Sequence, residues 1–421
     1  MKIINLRKIK INPISLILLK FIVMGLIGIP FAYFIDKGGY VYYFTRKLSN
    51  ENFILISYLY TLYAFLVMVV LYYCLGLKGK IKFYMKKKID HLAKHNYELA
   101  WLITFVLAFA CFAYIFIQAG GKHPALAAIK FDYSGIAALR RNISLAINLN
   151  IYNLGFKFFL PLNIIISLFF LRRRILFLIS LILFVLMSTF VLGKGPIVST
   201  IILIVFFKML ISEISFNKLL QYGFISLLLI SFMYFLTKFA TGIPSLLSGI
   251  NRRIFYGQIS DLPHYFELFS KYKISFSSTL PPYITNLFGI EGTKSASRLV
   301  MEHINPIEAS QGLVGVANSF FVGEAYAVAG HIGVILSPFI VMAYLTFIVY
   351  LFSGLKKNIF FIFLFTWFLF KTFKGITGGI GYFTFSGLHI VLLFLFYYLF
   401  SYAFVKNAKY LQKKFMNLKK T

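Results

Sequence analysis

The chain has 421 residues, 60% of them hydrophobic and 13% charged, with a mean hydropathy of +0.83. A water-soluble fold of that composition would lack a polar surface, so the soluble enzyme classes are excluded and a polytopic membrane protein is implied. The formal charge of +31 sits in short Lys and Arg clusters between apolar runs, which reads as a topology signal and not as nucleic-acid binding.

A hydrocarbon core of about 30 Å takes roughly 20 apolar residues in a helix. Ten runs of this kind are predicted: Ile14 to Phe34, Phe53 to Leu77, Glu98 to Gln118, Tyr152 to Leu171, Ile175 to Leu192, Ile197 to Ile211, Leu219 to Phe239, Ala325 to Phe352, Ile359 to Phe373 and Tyr382 to Val405. The fold class is therefore all-α, polytopic, with about ten transmembrane helices. The sixth and ninth runs are short for a full crossing, which calls for tilt, a thin bilayer or a broken helix. The first run begins with a basic stretch but has no small-residue cleavage site, and Lys20 and Pro30 interrupt it, so it reads as a retained helix. With both termini in the cytoplasm, the inside segments carry 24 Lys and Arg against 16 in the outside loops, and the inside segments are the shorter ones. Cys74 and Cys111 lie inside apolar runs and read as small core residues.

Residues 1–239 hold the first seven spans, 240–324 form one long outward loop, and 325–421 hold the last three spans with a basic cytoplasmic tail. The loop carries six of the twelve acidic residues and is cut by prolines into short pieces. Two of these, Asp261 to Ser270 and Ser295 to His303, look helical with apolar residues on one side. Its many aromatic residues predict a loop packed at the membrane surface.

No P-loop and no GxGxxG after a strand is present, and the seven histidines never form HExxH, so neither a nucleotide nor a metal or other cofactor is called for. His91 and His95 stand four residues apart on a basic segment, as a ligand pair or a solvated amphipathic turn. Cations in translocated loops run against the positive-inside rule and are more informative. They are Arg140 and Arg141, Lys194 in the Gly193 to Pro196 turn, Arg252 and Arg253, Lys294 and Arg298, and Lys371 and Lys374 before a Gly-rich turn ending at Gly381. Guanidinium matches phosphate oxygens at two points, and flanking glycines let backbone amides approach an anion. The competing reading is snorkelling to lipid head groups. Among the acids, Glu324 stands where the loop turns into the eighth run, either as a proton acceptor or as a first-turn carboxylate on the helix dipole. His264, His303 and Glu308 are weaker candidates, as lone polar residues on a loop. The Gly323, Ala325, Ala327, Ala329, Gly330, Gly333 series predicts a close helix-packing face.

With its many spans, its late outward loop, the paired arginines near that loop's start, and the stretch Gly323-Glu324-Ala-Tyr326 with Gly330-His-Ile-Gly333, the chain resembles the bacterial O-antigen and capsule repeat-unit polymerases, the Wzy-type family. The resemblance covers nearly the whole chain in architecture and about residues 312–333 in motif. Ala329 stands where many members have an aromatic, and Lys194 where many have Arg. It implies a GT-C-like helix arrangement in the cytoplasmic membrane, with undecaprenyl-diphosphate-linked oligosaccharides as donor and acceptor and membrane lipids around them. A chain-length regulator and a flippase are the protein partners it suggests. On this reading Arg252, Arg253, Lys194, Arg298, Arg140 and Arg141 hold the diphosphate, Glu324 is the catalytic carboxylate with His303 and Glu308 in reserve, and no metal takes part. The alternatives are an O-antigen-ligase-type transferase, which shares architecture and cations, and a lipid-linked oligosaccharide flippase, which has little use for the long loop. A mannosyl-type GT-C enzyme ranks last, since the first outward loop holds only Asp36 and Glu51.

Overall fold

The structure, a computed structural model, describes residues 10–31, 48–90, 94–123, 143, 146–191, 194–224, 228, 259–280, 285–286, 288–290, 294–310, 316–318 and 320–383. These residues are mostly helical, with one two-residue antiparallel strand pair, Lys10–Ile11 against Ile214–Ser215. Among them six helices are long and apolar enough to cross a membrane: Pro13–Pro30, Asn52–Cys74, Asn96–Gln118, Ile151–Leu171, Phe320–Gly354 and Ile359–Gly378. Shorter apolar helices, Arg174–Ser188 and Val198–Ile211, fall on the fifth and sixth predicted runs. Most of the seventh run and nearly all of the tenth lie outside the described residues.

The chain divides into two compact units. The first comprises Met1–Lys87, Lys208–Leu355 and Phe365–Ser386, and the second Lys88–Phe207, Lys356–Leu364 and Gly387–Thr421. In the first unit, helix Pro13–Phe21 starts where Asn12 accepts the Ser15 amide at 2.9 Å, with Pro13 in the first turn where its missing N–H costs nothing. Helix Asn52–Cys74 is apolar all round, and at about 1.5 Å per residue it exceeds the hydrocarbon thickness. Its small and hydroxyl residues sort onto one stripe: Ser57, Thr61 and Ala64 are buried with Met68 and Tyr72, while Leu55, Leu59, Leu66 and Val70 face outward. That is the pattern of helices packed in lipid, where close backbone approach replaces a hydrophobic drive.

The eighth predicted run differs from its expectation. Its helix starts at Phe320, five residues early, and is broken at Ala329 (φ −129°, ψ 15°) and Gly330 (φ +61°, ψ −141°). A methyl group on Gly333 would lie 2.1 Å from the Ala325 carbonyl oxygen. Residues eight apart on a straight helix are about 12 Å apart, so the chain turns sharply at the break. The piece after it runs from His331 to Gly354 and is by itself long enough to span. Pro338 deprives the Val334 carbonyl of its helical donor, and the Ser337 hydroxyl donates to that carbonyl at 3.0 Å instead. Tyr63 donates to the Ile335 carbonyl and Tyr350 to that of Leu75, both at 3.2 Å, so helices Asn52–Cys74 and His331–Gly354 run parallel. The ninth run also exceeds its expectation: its helix continues past Phe373 to Gly378, with Gly379 at φ +111° ending it.

In the second unit, helices Asn96–Gln118, Ile151–Leu171 and Arg174–Val191 pack around a buried polar hub. The Asn163 amide donates to the Trp101 carbonyl at 2.7 Å and the Thr104 hydroxyl at 2.9 Å, and the Ser180 hydroxyl donates to its oxygen. Gly155 allows the closest approach, since a methyl group there would lie 2.7 Å from both Cys111 and Met187.

Candidate functional site

Both pieces predicted as helical, near 261–270 and 295–303, are helices in the first unit, Leu262–Phe269 and Ala296–Ile304. Helix Ala296–Ile304 starts at Ser295, whose hydroxyl accepts the Arg298 amide. Helix Leu262–Phe269 has Pro263 in its first turn and is buried along its whole length. It packs on the first piece of the broken helix through Gly323, where an added methyl group would lie 2.7 Å from the Leu262 side chain. Glycine at this position lets the two helices touch, one residue before Glu324.

Glu324 is buried, and its Oε2 accepts the Gly381 amide at 2.9 Å, with the Ile380 amide as a further backbone donor. The acceptor is held by another element and not by its own helix start, so the first-turn cap expected as one alternative is replaced by a tertiary tie. A methyl group on Gly381 would lie 2.6 Å from the Thr279 carbonyl oxygen and 3.8 Å from Glu324 Oε2. Three segments therefore meet at this carboxylate: the broken helix, the 3-10 turn Phe276–Thr279 and the turn Ile380–Phe383. One helical turn earlier, half-buried Lys20 donates to the Phe373 carbonyl at 2.6 Å and the Thr377 hydroxyl at 2.9 Å. The end of helix Ile359–Gly378 thus has an ammonium on one of its carbonyls, as the polarity of a helix C-terminus favours, and the Glu324 carboxylate takes the amides of the turn just beyond it.

Asp261, which precedes helix Leu262–Phe269, and His264 and Glu267 on it form a buried row at three-residue spacing. Asp261 accepts the Asn318 amide at 2.9 Å and the Ser260 hydroxyl at 3.0 Å, His264 Nδ1 lies 3.3 Å from Glu267 Oε2, and Glu267 Oε1 accepts the Ser49 amide at 3.0 Å. The His264 hydrogen bond, then the Ser49 amide, outweigh burial and hold the Glu267 carboxyl down to about 2. Burial pushes Asp261 up, against the Asn318 amide, Ser260 and His264. The sequence points to His264 as a candidate but not to the two carboxylates beside it. The signal was the three-residue period, which sets all three groups on one side of a helix that the sequence did predict.

The broken helix also gathers an aromatic group. Tyr326 lies 4.7 Å from Phe266 and 5.4 Å from His331 between ring centroids, with Lys273 Nζ 3.9 Å above the Tyr326 ring. Tyr60 hydrogen-bonds to His331 Nδ1, and the Ile274 amide donates to the Ala327 carbonyl at 3.0 Å, one of the acceptors that the break releases.

The other sequence candidates fall as follows. Arg298 Nε donates to Glu302 at 3.0 Å, and Lys294 holds the same carboxylate at 2.9 Å, so Arg298 is engaged on its own helix. His303 is in the last turn of that helix, and no hydrogen bond or ion pair among the described residues ties it to Glu324. Glu308 lies in helix Pro306–Ser310 and Lys194 begins helix Lys194–Ile211, but both side chains are outside what the structure describes. Arg140, Arg141, Arg252 and Arg253 lie outside the described residues, as does His91 and the side chain of His95. Lys371 and Lys374 lie on helix Ile359–Gly378 with their ammonium groups over the rings of Trp367 and Phe370. No protein-family model, no curated protein and no solved structure matches this chain.

Proposed function

We propose that the chain is a membrane glycosyltransferase that joins undecaprenyl-diphosphate-linked oligosaccharide repeat units into O-antigen or capsular polysaccharide on the outer face of the bacterial cytoplasmic membrane. The supporting observation is Glu324, a buried carboxylate at the junction of the broken helix, the loop and a glycine turn. In this reading an acceptor hydroxyl oxygen attacks the anomeric carbon of the donor sugar. The bond from that carbon to the diphosphate oxygen breaks, the hydroxyl proton passes to Glu324, and undecaprenyl diphosphate leaves with the electron pair. Arg252 and Arg253 are the cations assigned to the leaving charge, with Lys194, Arg140 and Arg141 behind them, because preorganised donors act where charge develops. Arg298, held by Glu302, ranks below them.

The test is incubation of purified protein with a synthetic undecaprenyl-diphosphate repeat unit. A ladder of products supports polymerisation, a single transfer makes the chain a ligase, and no covalent change makes it a carrier. Arg252→Ala or Arg253→Ala should lower turnover by roughly 10²-fold, with partial recovery in the lysine variants. The ladder should survive EDTA, and its loss would overturn the assignment of the diphosphate to side-chain cations.

A further inference from the structure

Helix Leu77–Lys86 follows the span Asn52–Cys74 directly, after a left-handed turn at Gly76 (φ +63°). Leu77, Ile81 and Tyr84 form its buried side, and the Tyr84 ring meets Phe365 edge-on at 5.1 Å. Lys78, Lys82 and Lys86 make a row away from that side, at about 6 Å per step along the axis. Lys80 and Lys88 are exposed as well, and Phe83 is 59% exposed between them. None of these five ammonium groups is ion-paired with a carboxylate among the described residues. Lys87 differs, since it donates to the Ser353 carbonyl at 2.6 Å and closes the end of helix Phe320–Gly354. Two exposed tyrosines, Tyr73 and Tyr350, mark the ends of the neighbouring spans, with Lys78 Nζ 5.6 Å and Lys80 Nζ 4.8 Å from their ring centroids.

We propose that helix Leu77–Lys86 lies in the head-group layer and binds anionic phospholipid through Lys78, Lys82 and Lys86. Three observations favour lipid over an acidic protein. The helix is joined to the end of an apolar span, Tyr73 and Tyr350 stand near the ends of the neighbouring spans, where interfacial aromatic residues collect, and an outward Phe83 sits among the lysines as in helices that lie in the interface. Unpaired ammonium groups on a surface whose apolar side is already packed supply attraction to negative head groups without a defined protein-shaped groove.

The test uses the full-length protein in nanodiscs of phosphatidylglycerol and phosphatidylcholine, reading the association of spin-labelled phosphatidylglycerol relative to phosphatidylcholine. The wild-type protein should prefer the anionic lipid by about threefold or more, and the triple variant Lys78→Gln, Lys82→Gln, Lys86→Gln should bring the ratio close to one. The corresponding triple arginine variant should keep it. A glutamine variant with the wild-type ratio, a wild-type protein without preference, or an arginine variant that loses it would each overturn the proposal. Inorganic phosphate at constant ionic strength should leave the ratio unchanged, and its loss would assign the surface to a free anion. If the triple glutamine variant unfolds, Lys82→Gln alone is read by the same ratio.

Discussion

Among the described residues, the two units differ in whether they bury carboxylates. In the second unit the buried hub is neutral: Asn163, Thr104, Ser180 and the Trp101 indole satisfy one another between three helices. The first unit holds all three buried carboxylates among the described residues, Asp261, Glu267 and Glu324, with buried His264, whereas the ionisable groups buried in the second unit are Lys357 and His123. A neutral amide hub costs little to desolvate and fixes how helices meet. Buried ionisable groups are costly, need partners on each atom, and are the groups that can exchange a proton. On that contrast, the proton transfer we propose falls to the first unit.

The sharpest test of the contrast is Glu324→Gln, which keeps shape and removes the proton acceptor. Product ladders should shorten to a rate about 10²-fold lower or less, with the thermal midpoint close to wild type. Wild-type chain growth would leave Glu324 as a structural tie. Gly381→Ala comes next, because the added methyl group meets the Thr279 carbonyl and displaces the turn that holds the carboxylate. Turnover should fall by about tenfold to a hundredfold while lipid-substrate binding persists. Asn163→Ala should have the opposite signature: a loss of about 1 to 2 kcal/mol in unfolding from detergent, with turnover per folded molecule retained. A large catalytic loss there would break the division between units.

The smallest effect is in pH. Glu267 is held at about 2 against an ordinary 4.5, so its contribution to stability is complete above 4.5 and is lost as pH falls toward 2. Asp261 is raised and acts with the opposite sign, its burial weighing more as pH climbs and the group ionises. Glu267→Gln should therefore flatten the fall of the thermal midpoint between pH 4.5 and 2, and Asp261→Asn should remove a loss of stability that sets in as pH rises above about 3.8. An unchanged acid limb in Glu267→Gln would remove Glu267 from the account.

Composition and periodicity made the spans legible, because a stretch such as Asn52–Cys74 must be apolar on every side to sit in lipid. The loop helices were legible too, since Ser295 and Pro263 mark starts that local chemistry dictates. The break at Ala329–Gly330 was not, because Ala-Val-Ala-Gly-His continues the apolar run, and only the tertiary fit of Gly333 against Ala325 reveals why the chain must turn. Glu324 could be named from its position, whereas its partners could not: Gly381 is 57 residues away, and nothing local couples the two.

The parallel run of Asn52–Cys74 and His331–Gly354 has a topological consequence. Two crossings in the same direction require the chain joining them to traverse the bilayer an odd number of times. Between residues 75 and 330 the described helices offer four apolar candidates: Asn96–Gln118, Ile151–Leu171, Arg174–Ser188 and Val198–Ile211. Four is even, so either one of them turns back within the membrane or a fifth passage completes the set. The predicted run Leu219–Phe239 restores odd parity, and a reporter fused at position 215 and another at 270 should then register opposite sides.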